Sequence, residues 1–138
     1  MPLRIAVIDG QGGGIGAAIV RRIKDDLQEG VEVIALGTNS TATSAMMKAR
    51  ANKGATGENA IVRTSREVDV IAGPISIIMA NSMLGELTPK MAEAVASSGA
   101  EKILIPMSQE RLEIIGVAKE PLPHLVEGTV KRIKEMIR

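Results

Sequence analysis

The residues best suited to chemistry stand near the start of the chain, in Asp9-Gly10-Gln11-Gly12-Gly13-Gly14-Ile15-Gly16. Between a strand and a helix, glycines let the backbone turn sharply and let N–H groups approach an anion. The partial positive charge of a helix N-terminus adds about 0.3–1 kcal/mol to such binding. Five glycines among the seven residues Gly10–Gly16 exceed what a turn needs. The pattern therefore points to anion or nucleotide binding by Gly10, Gln11, Gly12, Gly13, Gly14, Ile15 and Gly16. The competing reading is a tight turn whose glycines only permit close helix–sheet packing. Gly12, Gly14 and Ala17 fit the dinucleotide spacing G-x-G-x-x-G/A. No G-x-x-x-x-G-K-[ST] occurs, which excludes an ordinary P-loop NTPase.

Asp9 complicates a phosphate ligand. A carboxylate about 5 Å from a phosphate is repelled by about 3 kcal/mol at an effective dielectric of 20. Four arrangements avoid that cost. The ligand carries no phosphate near Asp9; a Mg²⁺ bridges the two; Asp9 meets a ribose or an amine; or Asp9 accepts N–H bonds from its own glycine loop.

A second polar segment, Gly37–Ser44, holds five hydroxyl residues and one Asn. Capping a helix needs one of them. The surplus makes Thr38, Asn39 and Ser40 candidates for the polar part of a ligand. Gly54–Asn59 is a further glycine and polar loop, in which Glu58 and Asn59 are lower-ranked candidates against a plain turn or cap. Glu86 and Lys90, four residues apart, read as a surface helix pair. Ser76 and Ser108 have no nearby His to activate them as nucleophiles, and His124 reads as a surface residue at a helix start. No catalytic constellation is visible.

Composition narrows the classes. The chain has 138 residues, enough for one domain (1–138) with a useful core. Its net charge is +1, which argues against a dedicated nucleic-acid binder. It has no Cys and one His, which excludes disulfides, thiolate metal sites and multi-His metal sites. It has no Phe, Trp or Tyr, so tyrosine acids and aromatic stacking platforms are excluded. No signal core and no unbroken apolar span occur, so a cytoplasmic protein without a membrane role is expected. The mean hydropathy of +0.15 implies strands buried on both faces, surface buried in a homo-oligomer, or both.

The elements that must position these residues follow from periodicity. Leu3–Ile8 and Val31–Leu36 read as buried strands. Ile15, Ile19, Ile23 and Leu27 mark a helix between them, with Gly30 as its C-terminal cap. A helix over 43–52 is expected, capped by Ser40 or Thr41. Residues 54–66 admit either a strand at Ala60–Arg63 or a helix from Gly57 capped by Thr56. Val68–Ala72 is a strand. Thr88-Pro89 starts a helix that Gly99 closes. Lys102–Pro106 and Leu112–Val117 are strands, and a last helix starts at Pro121. Alternating strands and helices give a mainly parallel sheet with both faces covered. The loops Asp9–Gly16, Gly37–Thr41, Gly73–Ser76 and Pro106–Gln109 then gather at one sheet edge, where open α/β sheets bind ligands.

Three resemblances bear on the reading. The segments IAVIDGQGGGIG, IALGTNSTATSAM, GATGENAIV, VDVIAGPI and MAEAVASSGAEKILIP resemble a family of uncharacterised bacterial proteins classed as a domain of unknown function. That resemblance spans nearly the whole chain and implies a Rossmann-like fold, with no activity attached. The first 40 residues resemble short-chain dehydrogenases, through the G-x-x-x-G-x-G spacing of Gly10, Gly14 and Gly16. The catalytic Tyr-x-x-x-Lys of that class has no counterpart, and Gly37-Thr38-Asn39-Ser40 stands where an acidic ribose ligand is expected. Gly12–Gly14, Thr38-Asn39 and Gly54–Asn59 resemble elements of the nucleotide domain of tubulin-like GTPases. The glycine/threonine loop of that class is replaced by Gly73-Pro-Ile-Ser-Ile-Ile-Met.

The expected molecule is a three-layer, Rossmann-like α/β domain with a mainly parallel sheet, and a homo-oligomer, with a dimer favoured. It binds a small anionic ligand, of which a nucleotide or dinucleotide is one kind, and takes Mg²⁺ only with a phosphate. The rival reading is an assembly or regulatory protein whose glycines are structural.

Overall fold

Leu3, Ile5 and Val7 point to one side of the first strand and Ala6 and Ile8 to the other, and both sets are packed. That double burial sets the architecture of the computed structural model, which describes residues 2–137. The strands are β1 (Leu3–Asp9), β2 (Val31–Gly37), β3 (Lys53–Thr56), β4 (Val70–Pro74) and β5 (Glu101–Ile105). The helices are α1 (Gly14–Asp26), α2 (Ser40–Lys48), α3 (Glu58–Thr64), α4 (Pro89–Ala96) and α5 (Leu122–Lys134). All four strand pairs are parallel, in the order β3-β2-β1-β4-β5.

One core lies between the sheet and α1, α2 and α5. It joins Ile5, Val7 and Val33 to Ile19, Ile23, Met46 and Val130. The opposite core lies under α3 and α4 and joins Ile8, Leu36 and Ile71 to Ile61, Leu87, Met91 and Val95. This is a three-layer, Rossmann-like α/β fold. With no aromatic residue, methionines such as Met46 and Met91 fill the irregular gaps between branched aliphatics. Among the described residues no helix is long and apolar enough to cross a membrane.

Several local expectations are corrected. The second helix starts earlier than expected, at Ser40, because Asn39 rather than Ser40 or Thr41 is its cap. The Asn39 side chain accepts the Ala42 N–H at 2.8 Å. In 54–66 the strand and the helix both form, with the strand displaced to Lys53–Thr56, where it pairs with β2. The helix then runs from Glu58, and Gly57 with φ 104 is its cap rather than Thr56. The first helix ends at a Leu27 cap, and Gly30, with φ 86, serves the turn into β2. Ser97, not Gly99, caps the end of α4.

Leu112–Val117 is not a strand. A parallel neighbour for β5 requires a crossover of about a dozen residues or more, and only residues 106–111 intervene. Gly116, with φ 88, also breaks the extended run.

Between β4 and α4 the chain makes two short 3₁₀ turns, Ile75–Ile78 and Met83–Gly85. This strap carries Asn81, Met83 and Leu84 at φ 67, 58 and 57. Such conformations persist in non-glycine residues where surrounding contacts fix them.

Candidate functional site

In an open parallel sheet, ligands bind beyond the carboxyl ends of the strands, where the strand order reverses. Here the order reverses beside β1, between β1 and β4. A cavity of about 480 Å³ opens at that point. Asp9, Gly10, Gln11 and Ile15 line one side, Pro74 and Ser76 the floor after β4, and Met107–Glu110 the side after β5. Asn81, Met83 and Leu84 of the strap complete it. Three of the four expected loops therefore meet around one space. The fourth, 37–41, joins them through hydrogen bonds.

The glycine loop divides into residues used by the fold and residues left open. A Cβ at Gly10 would lie 2.5 Å from Met83 Sδ and from Thr38 Oγ1. One at Gly16 would lie 2.7 Å from Met46 Sδ and 2.8 Å from Asp9 Cβ. Gly13 has φ 73 and would place a Cβ 2.8 Å from the Ala42 backbone. These three glycines are required by packing and conformation. Gly12 and Gly14 are not, since a Cβ at either meets nothing within 4 Å.

The N–H groups divide the same way. Asp9 Oδ1 accepts from Gly10 N–H at 2.8 Å and Oδ2 from Gly16 N–H at 2.6 Å. Gly13 N–H donates to Gly10 O at 2.9 Å. Among the described residues, the N–H groups of Gly12, Gly14 and Ile15 have no acceptor. Gly14 and Ile15 form the first turn of α1, and its Gly13 cap contributes no side-chain bond. A helix start with open N–H groups is suited to an anion.

Asp9 is therefore the internal acceptor of its own loop. Burial pushes its carboxyl above the ordinary 3.8. The Gly16 and Gly10 N–H bonds oppose that, and the Glu86 charge adds to it.

Glu86 is the residue that sequence reasoning misplaced. It stands on the strap before α4, not on a helix face with Lys90. Its Oε1 accepts from Gln11 N–H at 2.8 Å, the Thr38 hydroxyl at 2.7 Å and the Asn39 side-chain amide at 2.8 Å. These bonds, led by Gln11, hold its carboxyl below the ordinary 4.5 against the opposing effect of burial. Thr38 and Asn39 thus face the glycine loop through Glu86. Asn39 also donates to Gln11 O at 3.0 Å.

Ser40 is exposed in the first turn of α2 and does not line the cavity. Neither do Glu58 and Asn59 at the start of α3, nor Gly12, Gly13, Gly14, Gly16, Thr38, Asn39 and Glu86; of the predicted site residues, Gly10, Gln11 and Ile15 line it. Glu58 Oε2 instead accepts the Thr88 hydroxyl at 2.6 Å, tying α3 to the start of α4.

Two further lining residues carry polar groups into the cavity. Glu110 Oε1 accepts Met83 N–H at 2.9 Å and fastens the strap to the segment after β5. Ser76 is 6% exposed, and its hydroxyl bonds to no other described residue. Among the described residues no three His, Cys, Asp or Glu side chains are grouped to hold a metal ion. Ser76 closes one of the four loops expected at this edge, whereas the available signal for Glu86 was the long irregular segment 75–88 after the strand at the switch, since loops of that length are commonly functional.

The parallel order, the glycine loop after β1 and the cavity at the switch define a Rossmann-like α/β protein. The chain belongs to the family described as Domain of unknown function (DUF3842), whose model matches residues 4–138. Comparison with curated proteins finds no match. Among solved structures it is similar to a dodecameric FMN-dependent UbiX-like decarboxylase from Escherichia coli O157:H7. The identity is 13% and the TM-score 0.43, over 96% of this chain and 92% of that one. A likeness of that degree says nothing of ligand, chemistry or assembly here. The resemblance to tubulin-like GTPases finds no support among these matches.

Proposed function

We propose that this protein is a single domain that binds a small metabolite through one anionic group at the start of α1. The body of the ligand lies in the cavity between β1, β4 and β5. The observation that carries this reading is the open pair Gly12 and Gly14. Neither is required by packing, and both adjoin N–H groups without acceptors. The hydroxyl of Ser76, which bonds to no other described residue, supports it from the floor of the cavity. The cavity volume lies within the usual range for small-molecule sites.

A mononucleotide, or the phosphate-bearing half of a dinucleotide, belongs to this ligand class. With no aromatic residue in the chain, a base would rest on aliphatic side chains such as Ile15 and Met107. Mg²⁺ would enter only with a phosphate. Binding rather than catalysis is proposed, since no nucleophile with a base lines the cavity. A cytoplasmic setting is proposed with it.

The test is thermal unfolding followed by circular dichroism, with orthophosphate, AMP, sugar phosphates, FMN and NAD, each with and without Mg²⁺. A ligand at a hundredfold excess over Kd stabilises by about 2.7 kcal/mol. In Gly14→Val the new side chain points back toward the N-terminus of α1, over the open N–H groups. The fold is expected to persist and the ligand-induced shift to vanish. A shift that survives Gly14→Val places the ligand elsewhere and contradicts the reading.

We also infer a homo-oligomer, with a dimer as the simplest form. Leu84 and Ile115 are 98% and 93% exposed, and Leu112, Ile114 and Val117 are exposed beside Ile115 in the chain. Surfaces of this kind mark interaction sites.

A further inference from the structure

We propose that the cavity between β1, β4 and β5 holds a primary ammonium group, so that the ligand is an aliphatic amine. The inference rests on the reading that the body of the ligand lies in this cavity, and it names the group which that body presents. Two carboxylates line the space, those of Asp9 and Glu110, and none of the lining residues is Lys, Arg or His. Ser76 supplies an independent sign of a ligand. It is 6% exposed on the floor of the cavity, and its hydroxyl bonds to no other described residue. A hydroxyl placed there without a partner keeps hydrogen-bonding capacity that the fold does not use.

Two adjacent residues of the strap tie these three groups together. Ser82 Oγ donates to Ser76 O at 2.7 Å. Met83 donates its N–H to Glu110 Oε1 at 2.9 Å, and Glu110 Oε2 has no partner among the described residues. Met83 Sδ lies 2.5 Å from the position of a Cβ on Gly10, the neighbour of Asp9 in the chain. Each Asp9 oxygen accepts one N–H, which leaves both with further acceptor capacity.

The lining selects the kind of cation. Burial raises the Asp9 carboxyl and the Glu86 charge raises it further, so a cation beside Asp9 relieves a cost. A metal ion finds no ligand set, since no three His, Cys, Asp or Glu side chains are grouped to hold one among the described residues. A quaternary ammonium finds no aromatic cage, since the chain has no Phe, Trp or Tyr. A primary ammonium carries three donors and no acceptor, and Asp9, Ser76 and Glu110 offer it acceptors. Ile15, Pro74, Met83 and Met107 line the same space and suit an aliphatic stem.

The test is an amide-resolved NMR titration of the ¹⁵N-labelled chain with n-butylammonium, with n-butanol and tetramethylammonium as controls at constant ionic strength. n-Butylammonium is expected to give saturable shifts at Gly10, Gln11, Ser76 and Glu110 and to bind about tenfold more tightly than either control. Glu110→Gln keeps an oxygen for the Met83 N–H and removes the charge. It is expected to weaken n-butylammonium about tenfold and to leave n-butanol nearly unchanged, a split that a merely structural role would not produce. Ser76→Ala, expected to cost about fivefold, is the second variant if Glu110→Gln does not fold. n-Butylammonium binding no tighter than n-butanol overturns the inference, as do shifts confined to residues outside the cavity or an unchanged affinity in the folded variants. Gly14→Val separates this claim from the anion site, because it is expected to abolish phosphate binding and to leave n-butylammonium binding intact. Phosphate binding that survives Gly14→Val, or is absent from the native chain, while n-butylammonium still binds in the cavity, overturns the anion site and upholds the amine site.

Discussion

Two carboxylates act in opposite senses at the residue scale. Glu86 is held below its ordinary range, so its contribution to stability is fully present above about 4.5, its ordinary value, and is lost as pH falls through its lower folded value. The stability gap between the native chain and Glu86→Ala is therefore expected to be constant from neutral pH down to about 5, at about 1.5–3 kcal/mol. It should narrow in more acidic solution, as urea titrations at several pH values would show. Asp9 is raised by burial, so the fold favours its protonated form and its charge is a burden at neutral pH. Its acceptance of two buried N–H groups opposes that burden. Asp9→Asn has one acceptor oxygen for two donors and is expected to cost about 1–3 kcal/mol in the same titrations. Asp9 was legible in the sequence as one of four alternatives, of which the hydrogen bonds show the last, acceptance of N–H groups from its own glycine loop. Glu86 was not legible, because its partners lie 48, 47 and 75 residues away in the chain.

At the scale of elements, the sequence was informative wherever local chemistry decided the outcome. Thr88-Pro89 announced α4, and Thr88 does cap it, accepting Met91 N–H at 3.2 Å. Thr88→Ala also strands Glu58 and is expected to cost about 1–2 kcal/mol, measured by chemical unfolding. The central strands were readable because both their faces are buried and their apolar runs are continuous. The edge strand β3 was not, since all four of its residues are exposed and no hydrophobic pattern marks it. Residues 112–117 misled in the other direction. Their apolar character suited a strand, but no room for a crossover exists, and the side chains remain on the surface. A sequence pattern reports that a segment seeks burial, and topology decides whether this chain provides it.

At the scale of the whole molecule, those exposed side chains and the cavity make separate claims. If residues 112–117 are an interface between copies, Ile115→Asp is expected to shift sedimentation toward the monomer without altering the far-ultraviolet dichroism. If they are plain surface, the substitution changes stability by about 0.5 kcal/mol or less and the sedimentation not at all. The site is a product of the whole fold. The switch in strand order opens the cavity, α1 aims its first turn at the rim, and the strap from β4 returns a carboxylate over the glycine loop. The measurement that tests this account most directly is an amide-resolved NMR titration of the ¹⁵N-labelled protein with a simple phosphate monoester. The account predicts saturable shifts centred on Gly12, Gly14 and Ile15, smaller ones at Ser76, and none at Glu58 or Asn59. Shifts spread over surface lysines, or none at the glycine loop, would contradict it.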